Sequence, residues 1–165
     1  MRCLPLAALV LAAGCYQIDA DVSGLTASAG EESFDGAGAA AGQAMAIDRM
    51  FSFDGAGALA ATLKKARIDS ITLTPAGGVA SLDFLSSLTL VLHAPAGDVP
   101  LVDAAGKMTG ADGSVTLPIA VDVDPALLAA PLPIEASLRF VAPATAWSMR
   151  ADAVLSVQGH ADLHP

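Results

Sequence analysis

The chain has 165 residues, of which 54% are hydrophobic and only 4% aromatic, so its length predicts one domain with a core of aliphatic side chains. The 17 acidic residues outnumber the 8 basic ones and give a formal net charge of −9. A protein that neutralises nucleic-acid phosphates needs clustered Lys and Arg. Here the close basic cluster is Lys64, Lys65 and Arg67, which we interpret as a solvated face, so no nucleic-acid partner is expected.

The N-terminal segment has the layout of an export signal. Arg2 is followed by an apolar run from Cys3 to Ala13 and then by small residues before a candidate cleavage point. Because a transmembrane helix needs about 20 apolar residues, this run is too short to span a bilayer. Residues 1–14 are therefore predicted to be a cleaved signal peptide.

The junction of this signal is the sharpest motif in the chain. Ala12-Ala13-Gly14-Cys15 resembles the lipobox of bacterial lipoproteins, in which the cysteine becomes the lipidated first residue of the mature protein. The resemblance implies a lipidation site at Cys15 and attachment to a membrane through that lipid. Under the sorting rule of many Gram-negative lipoproteins, Tyr16 implies the outer membrane. Ala12 stands where leucine is most frequent in this motif.

Cysteine usage agrees with an anchor. The two cysteines are Cys3, inside the signal, and Cys15, at its end, so the mature domain can hold no internal disulfide. An exported protein without structural disulfides, but with a cysteine at the end of its signal, fits lipidation. A plain secretory signal followed by an incidental free thiol is the alternative.

Residues 15–62 are rich in Gly, Ala and Ser and are predicted to be the lipidated cysteine and a flexible tether, with one strand and a short helix as its only candidate elements. The segment SFDGAGA occurs at 33–39 and again at 52–58, which we interpret as two similar turns rather than a solenoid repeat. Leu59 and Leu63, four residues apart, suggest the short helix.

From Arg67 onward the hydrophobic period is two, which is typical of half-buried strands. Another short strand is expected around Val99 to Val102. Pro118 cannot donate a ladder hydrogen bond, so its strand is predicted to lie at a sheet edge or at a bulge. The side chains predicted to face the core are Ile71, Leu73, Leu88, Leu90, Leu92, Val115, Leu117, Ile119, Val121, Val123, Ile134, Ala136, Leu138, Phe140, Trp147, Met149, Ala151, Ala153, Leu155 and Val157.

The predicted strands follow one another at intervals of about a dozen residues. Gly- and Pro-rich turns lie between them, for example PAGG at 75–78 and PAGD at 95–98. Short, evenly spaced strands of this kind predict an all-β antiparallel β-sandwich of about 6–8 strands over residues 63–165. Over residues 64–163 the pattern resembles the immunoglobulin-like sandwich domains of exported bacterial lipoproteins. That resemblance brings no catalytic residues.

The search for chemistry predicts no catalytic, cofactor-binding or metal site. The chain lacks a GxSxG nucleophile elbow and a DxDxDG calcium loop. His93 is interpreted as a surface histidine on a strand, and His160, Asp162 and His164 as a polar terminus. Asp122 and Asp124, like the turn residues Asp98, Asp103 and Asp112, are interpreted as turn-forming aspartates rather than calcium ligands.

These observations predict an exported, lipid-anchored protein of the bacterial cell envelope. The leading hypothesis is a non-enzymatic binding, adhesion or structural module with an envelope protein as its partner. The alternative is a carrier that holds an apolar ligand or lipid between its sheets or in a barrel mouth. No cofactor is expected under either hypothesis.

Overall fold

The computed structural model describes residues 17–18, 23–34, 42–55, 60, 63–159 and 161–162. Most of these residues form strands, Pro125–Ala129 form a short 3₁₀ helix, and Ala60 is also in 3₁₀ conformation. The strands are β1 Gln17–Ile18, β2 Ser23–Phe34, β3 Ala44–Phe53, β4 Leu63–Gly77, β5 Leu85–Ala94, β6 Gly97–Ala105, β7 Val115–Val123, β8 Leu132–Val141, β9 Trp147–Gly159 and β10 Ala161–Asp162. Within these ranges no helix is long and apolar enough to cross a membrane.

Two four-stranded sheets pack face to face, with the strand orders β2-β9-β4-β7 and β3-β8-β5-β6. Every pairing is antiparallel, and β1 and β10 form a further short antiparallel pair. The antiparallel β-sandwich predicted from the alternating pattern is therefore confirmed, with eight strands in its two main sheets.

Each strand of the first half of the chain pairs with a strand of the second half, and these pairs are nested around the β5/β6 hairpin. At the tip, β5 pairs with β6, and outward from it β4 pairs with β7, β3 with β8, β2 with β9 and β1 with β10. This is the strand order of a jelly roll. In an immunoglobulin domain the first two strands are neighbours in one sheet, whereas here β2 and β3 lie in different sheets.

The edge strands β6 and β7 each carry a proline beside a break in the ladder. In β7, Pro118 pairs with Ser70 and Val121 pairs with Ile68, so two residues of β7 oppose the single residue Asp69. Ala120, inside this bulge, has a φ of 58°. The expectation that Pro118 lies at an edge or a bulge is confirmed on both counts. In β6, Pro100 adjoins the register shift opposite Leu90 and Val91.

The core lies between the two sheets and is built from the alternate residues that face inward. All the side chains predicted to face the core are buried, except Val121 and Val123, which are half-buried at the end of β7. At one end of the core, the ring of Trp147 packs edge-on against Phe84 and Phe140 at centroid distances of 4.8 and 5.4 Å. Apolar burial of this kind is the main stabilising contribution to such a fold.

The tether predicted over 15–62 is corrected by the structure, because β2 and β3 lie in this range and belong to the two main sheets. β3 does alternate, with Phe51 and Phe53 buried and Met45 and Ile47 half-buried. β2 contains few large apolar residues and is held by backbone pairing along β9. The sandwich therefore begins before residue 63, the predicted start of the domain.

The second half of the predicted short helix is also corrected, whereas Ala60 in its first half is in 3₁₀ conformation. Leu63 to Ala66 begin the long strand β4, while residues 56–59 and 61–62 lie outside the described residues. Both copies of SFDGAGA begin at the end of a strand, since β2 ends at Phe34 and β3 at Phe53. Asp54 and Gly55 follow the end of β3 without regular secondary structure, and Asp35 and Gly36 lie outside the described residues, so the interpretation as two turns stays a prediction.

Candidate functional site

The sandwich has two ends with different side chains. At the end that we call the β1/β10 end, β9 finishes at Gly159 beside Leu63 of β4, and the tight turn between β5 and β6 and the 3₁₀ helix close the sheets. At the opposite end, the Trp147 end, Phe34 pairs with Trp147 and Ala44 with Val141. The β1/β10 end carries a histidine–carboxylate cluster and a polar groove, and the Trp147 end carries the hydrogen bonds of Asp83 with Thr109 and of Asp112 with Ser114.

The first cluster joins three neighbouring strands through His93 of β5. Its Nδ1 lies 2.7 Å from Oδ1 of Asp98 on β6, and its Nε2 lies 2.8 Å from Oε2 of Glu135 on β8. The antiparallel register explains this, because His93 is directly paired with Asp98 and Val91 with Glu135. One imidazole therefore links the end of three strands of a sheet.

Hydrogen bonds to Asp98 and then to Glu135 raise the pKa of His93 above its ordinary value of 6.5. When protonated, the ring can donate from both nitrogens, one to each carboxylate. Because both nitrogens face carboxylates on opposite sides, neither is available as a metal ligand or a general base. The cluster is therefore suited to a pH-dependent link between strands.

A small apolar cleft of about 280 Å³ lies beside His93. Its walls come from the end of β5, the turn that follows it and the segment around the 3₁₀ helix, including Leu92, Leu127 and Leu132. Asp124 begins that helix by accepting a hydrogen bond from the backbone N–H of Ala126 at 2.9 Å. Leu92 and Leu132, which line the cleft, are themselves buried in the core, as is Leu128.

The second cluster is a polar groove of about 550 Å³ on the outer face of the β9-β4-β7 sheet. The basic cluster of Lys64, Lys65 and Arg67 lines it together with Asp69 and Asp122. Arg67 Nε lies 3.5 Å from Asp69 Oδ1, and the Ser156 hydroxyl donates to the same aspartate. The groove thus combines exposed lysines with an internally paired arginine.

The structure assigns local roles to the aspartates that the sequence placed near turns. Asp112 accepts hydrogen bonds from the Ser114 hydroxyl and backbone N–H, which lower the pKa of Asp112, and Asp103 accepts one from Thr89. Asp98 contacts His93, and Asp124 caps the 3₁₀ helix. Within the described part of the chain, no three His, Cys, Asp or Glu residues form a group that could hold a metal ion.

Other predicted site residues lie beyond what can be placed. Cys15, His160 and His164 are outside the described residues, and for Asp162 only the backbone pairing with Gln17 is described. Sequence reasoning missed the link between His93, Asp98 and Glu135, since Glu135 is 42 residues from His93 along the chain. The predicted turn at 95–98 could have indicated that Asp98 lies opposite His93, but no sequence signal pointed to Glu135.

Comparison with known proteins shows no family for this chain. No protein-family model matches the chain, and neither does any curated protein. Among solved structures, a chain of the "Structure of infectious bursal disease virus Gx strain" is 15% identical, with a TM-score of 0.37; the match covers 86% of this chain and 33% of that one. This chain therefore spans about a third of the viral chain's length.

Proposed function

We propose that the protein is an exported, lipid-anchored component of the bacterial envelope, held by acyl chains on Cys15, and that its sandwich is a non-enzymatic binding or structural module. The observation that carries the proposal is the sequence Ala12-Ala13-Gly14-Cys15 after an 11-residue apolar run, with no cysteine in the residues that follow. Two or three acyl chains would anchor such a protein stably.

The site geometry supports the non-enzymatic part of the proposal. His93 has a carboxylate at each ring nitrogen, so this cluster is occupied by structural hydrogen bonds. Among the described residues, one cluster of buried aliphatic and aromatic side chains lies between the sheets. A carrier of apolar ligands needs a cavity there, so that alternative has less support than a module that acts through its surface.

The anchor is tested by metabolic labelling of the full chain with palmitate in a bacterial host. We expect label in the wild-type protein and in Cys3→Ser, because Cys3 lies within the removed signal, and no label in Cys15→Ser. Cys3→Ser is the matched control, since it exchanges the same atoms twelve positions earlier in the sequence. Equal labelling of Cys15→Ser and wild type would overturn the proposal.

A further inference from the structure

The distance between the candidate anchor and the sandwich is short. Gln17 pairs with Asp162, and Cys15 precedes Gln17 by two residues. Because an extended chain spans at most about 3.6 Å per residue, the Cα of Cys15 can lie no more than roughly 7 Å from that of Gln17. Acyl chains on Cys15 would therefore enter a bilayer next to the β1/β10 pair.

The basic cluster lies at the same end of the sandwich. Leu63 pairs with Gly159 and Lys65 with Gln158, while β10 begins at Ala161, two residues beyond β9. Lys64 and Lys65 are exposed at the start of β4, within a few residues of this junction. In a chain with a net charge of −9, cationic side chains thus stand close to the anchor position.

From this placement we infer that the β1/β10 end of the sandwich rests on the bilayer, with Lys64 and Lys65 against anionic lipid headgroups. The inference rests on the proposed anchor at Cys15 and adds the orientation of the domain. Lysines beside an anionic leaflet are attracted to it, whereas an acidic protein as a whole is repelled. The lipid surface, rather than a soluble partner, is the occupant of this end because the anchor holds it there.

The basic side chains of Arg67 and His93 at this end are paired with acidic groups, so they are less free to attract anionic lipid headgroups. Arg67 is paired with Asp69, and Asp122 lies across the groove. Asp98 and Glu135 face His93, so this part of the end is engaged internally. The two lysines are therefore the groups on which contact with headgroups depends.

The orientation is tested in vesicles of phosphatidylethanolamine and phosphatidylglycerol that carry a nitroxide-headgroup lipid. Gln158→Cys and Gln43→Cys place a fluorescent label at the β1/β10 end and the Trp147 end, both at exposed glutamines. In the lipidated protein the thiol of Cys15 is acylated, so each variant has one free thiol. We expect quenching several-fold stronger at position 158 than at position 43.

The contribution of the lysines is tested in the Gln158→Cys background. Replacing Lys64 and Lys65 by Gln should lower the quenching at position 158, whereas Lys107→Gln, an exposed lysine near the Trp147 end, should leave it unchanged. Unchanged quenching in the Lys64→Gln, Lys65→Gln variant would overturn headgroup contact through these residues.

The same preparations separate the two proposals, because the purified proteins are weighed by mass spectrometry before reconstitution. Absence of acyl chains would overturn the anchor and the orientation together. Acylated protein with equal quenching at positions 43 and 158, or stronger quenching at position 43, would overturn the orientation alone.

Discussion

His93 shows how a single side chain connects strands that the sequence keeps far apart. Its hydrogen bonds to Asp98 and Glu135 raise the pKa of the imidazole above 6.5. A group whose pKa is raised by folding stabilises the native state fully below its unfolded pKa. That stabilisation is lost as the pH rises through the folded pKa.

Replacing His93 by Gln is therefore expected to lower the melting temperature more at about pH 5 than at about pH 9, since only the protonated ring can donate to both carboxylates. Thermal unfolding of wild type and His93→Gln across this range measures the difference. Glu135→Gln should give a similar pH dependence, because it removes one of the two carboxylates. A loss of melting temperature that is the same at both pH values would contradict this account.

Residue-level expectations were accurate wherever period-two alternation decides the outcome. Apart from Val121 and Val123, which are half-buried, the side chains predicted to face the core are buried, because a strand places alternate residues on opposite faces. The partners of His93 were not predictable in this way. They depend on which strands are neighbours and in what register, and that information is distributed over the whole chain.

At the scale of elements, β2 and β3 mark the limit of reasoning from composition. The Gly, Ala and Ser content of residues 23–34 is typical of a linker, yet β2 pairs along β9, whose own inward face is buried. Backbone hydrogen bonds to a neighbouring strand can hold a segment that lacks a period-two pattern of large apolar residues. In β3, Met45, Ile47, Phe51 and Phe53 alternate clearly, and this signal was available in the sequence.

In the second SFDGAGA copy, Gly55 lies against the backbone at the end of the 3₁₀ helix. A Cβ added at Gly55 would overlap the backbone carbonyl oxygens of Leu128 and Ala130, so only glycine allows the end of β3 to pass this closely. Each copy of the segment thus begins at a strand end, and Gly55 of the second copy has a packing role.

Gly55→Ala is accordingly expected to reduce the free energy of unfolding by about 1–3 kcal/mol, because backbone must shift to accommodate the methyl group. Urea denaturation measures the change. Gly77→Ala is the control, since a Cβ there meets only the Ser148 hydroxyl, at 3.1 Å, and the expected loss is smaller. Losses of equal size at the two positions would contradict the close approach at Gly55.

For the whole molecule, the fold class followed from the sequence but the strand order did not. Alternation and turn spacing are the same for an immunoglobulin-like sandwich and for a jelly roll, since both bury one face of each strand. The nested order of pairs is set by long-range contacts between β2 and β9 or β3 and β8. No local pattern reports those contacts.

This topology also makes the protein a candidate for slow folding. Outer pairs join residues more than a hundred positions apart, so much chain entropy is lost before these contacts form. We expect refolding on the order of milliseconds to seconds. The fluorescence of Trp147, the one tryptophan in the chain and buried in the core, reports it in stopped-flow experiments. Complete refolding within microseconds would contradict this expectation.

The nested pairing has a mechanical consequence as well. Gln17 and Asp162 sit opposite each other, so a tension that separates them acts across the hydrogen bonds of the β1/β10 pair. This force breaks the hydrogen bonds of the pair one after another, and it then acts on the next pair in the nested order, β2 and β9. The sandwich is therefore weakest against a force that draws these two segments apart, and its innermost hairpin, β5 and β6, is the last part that such a force reaches.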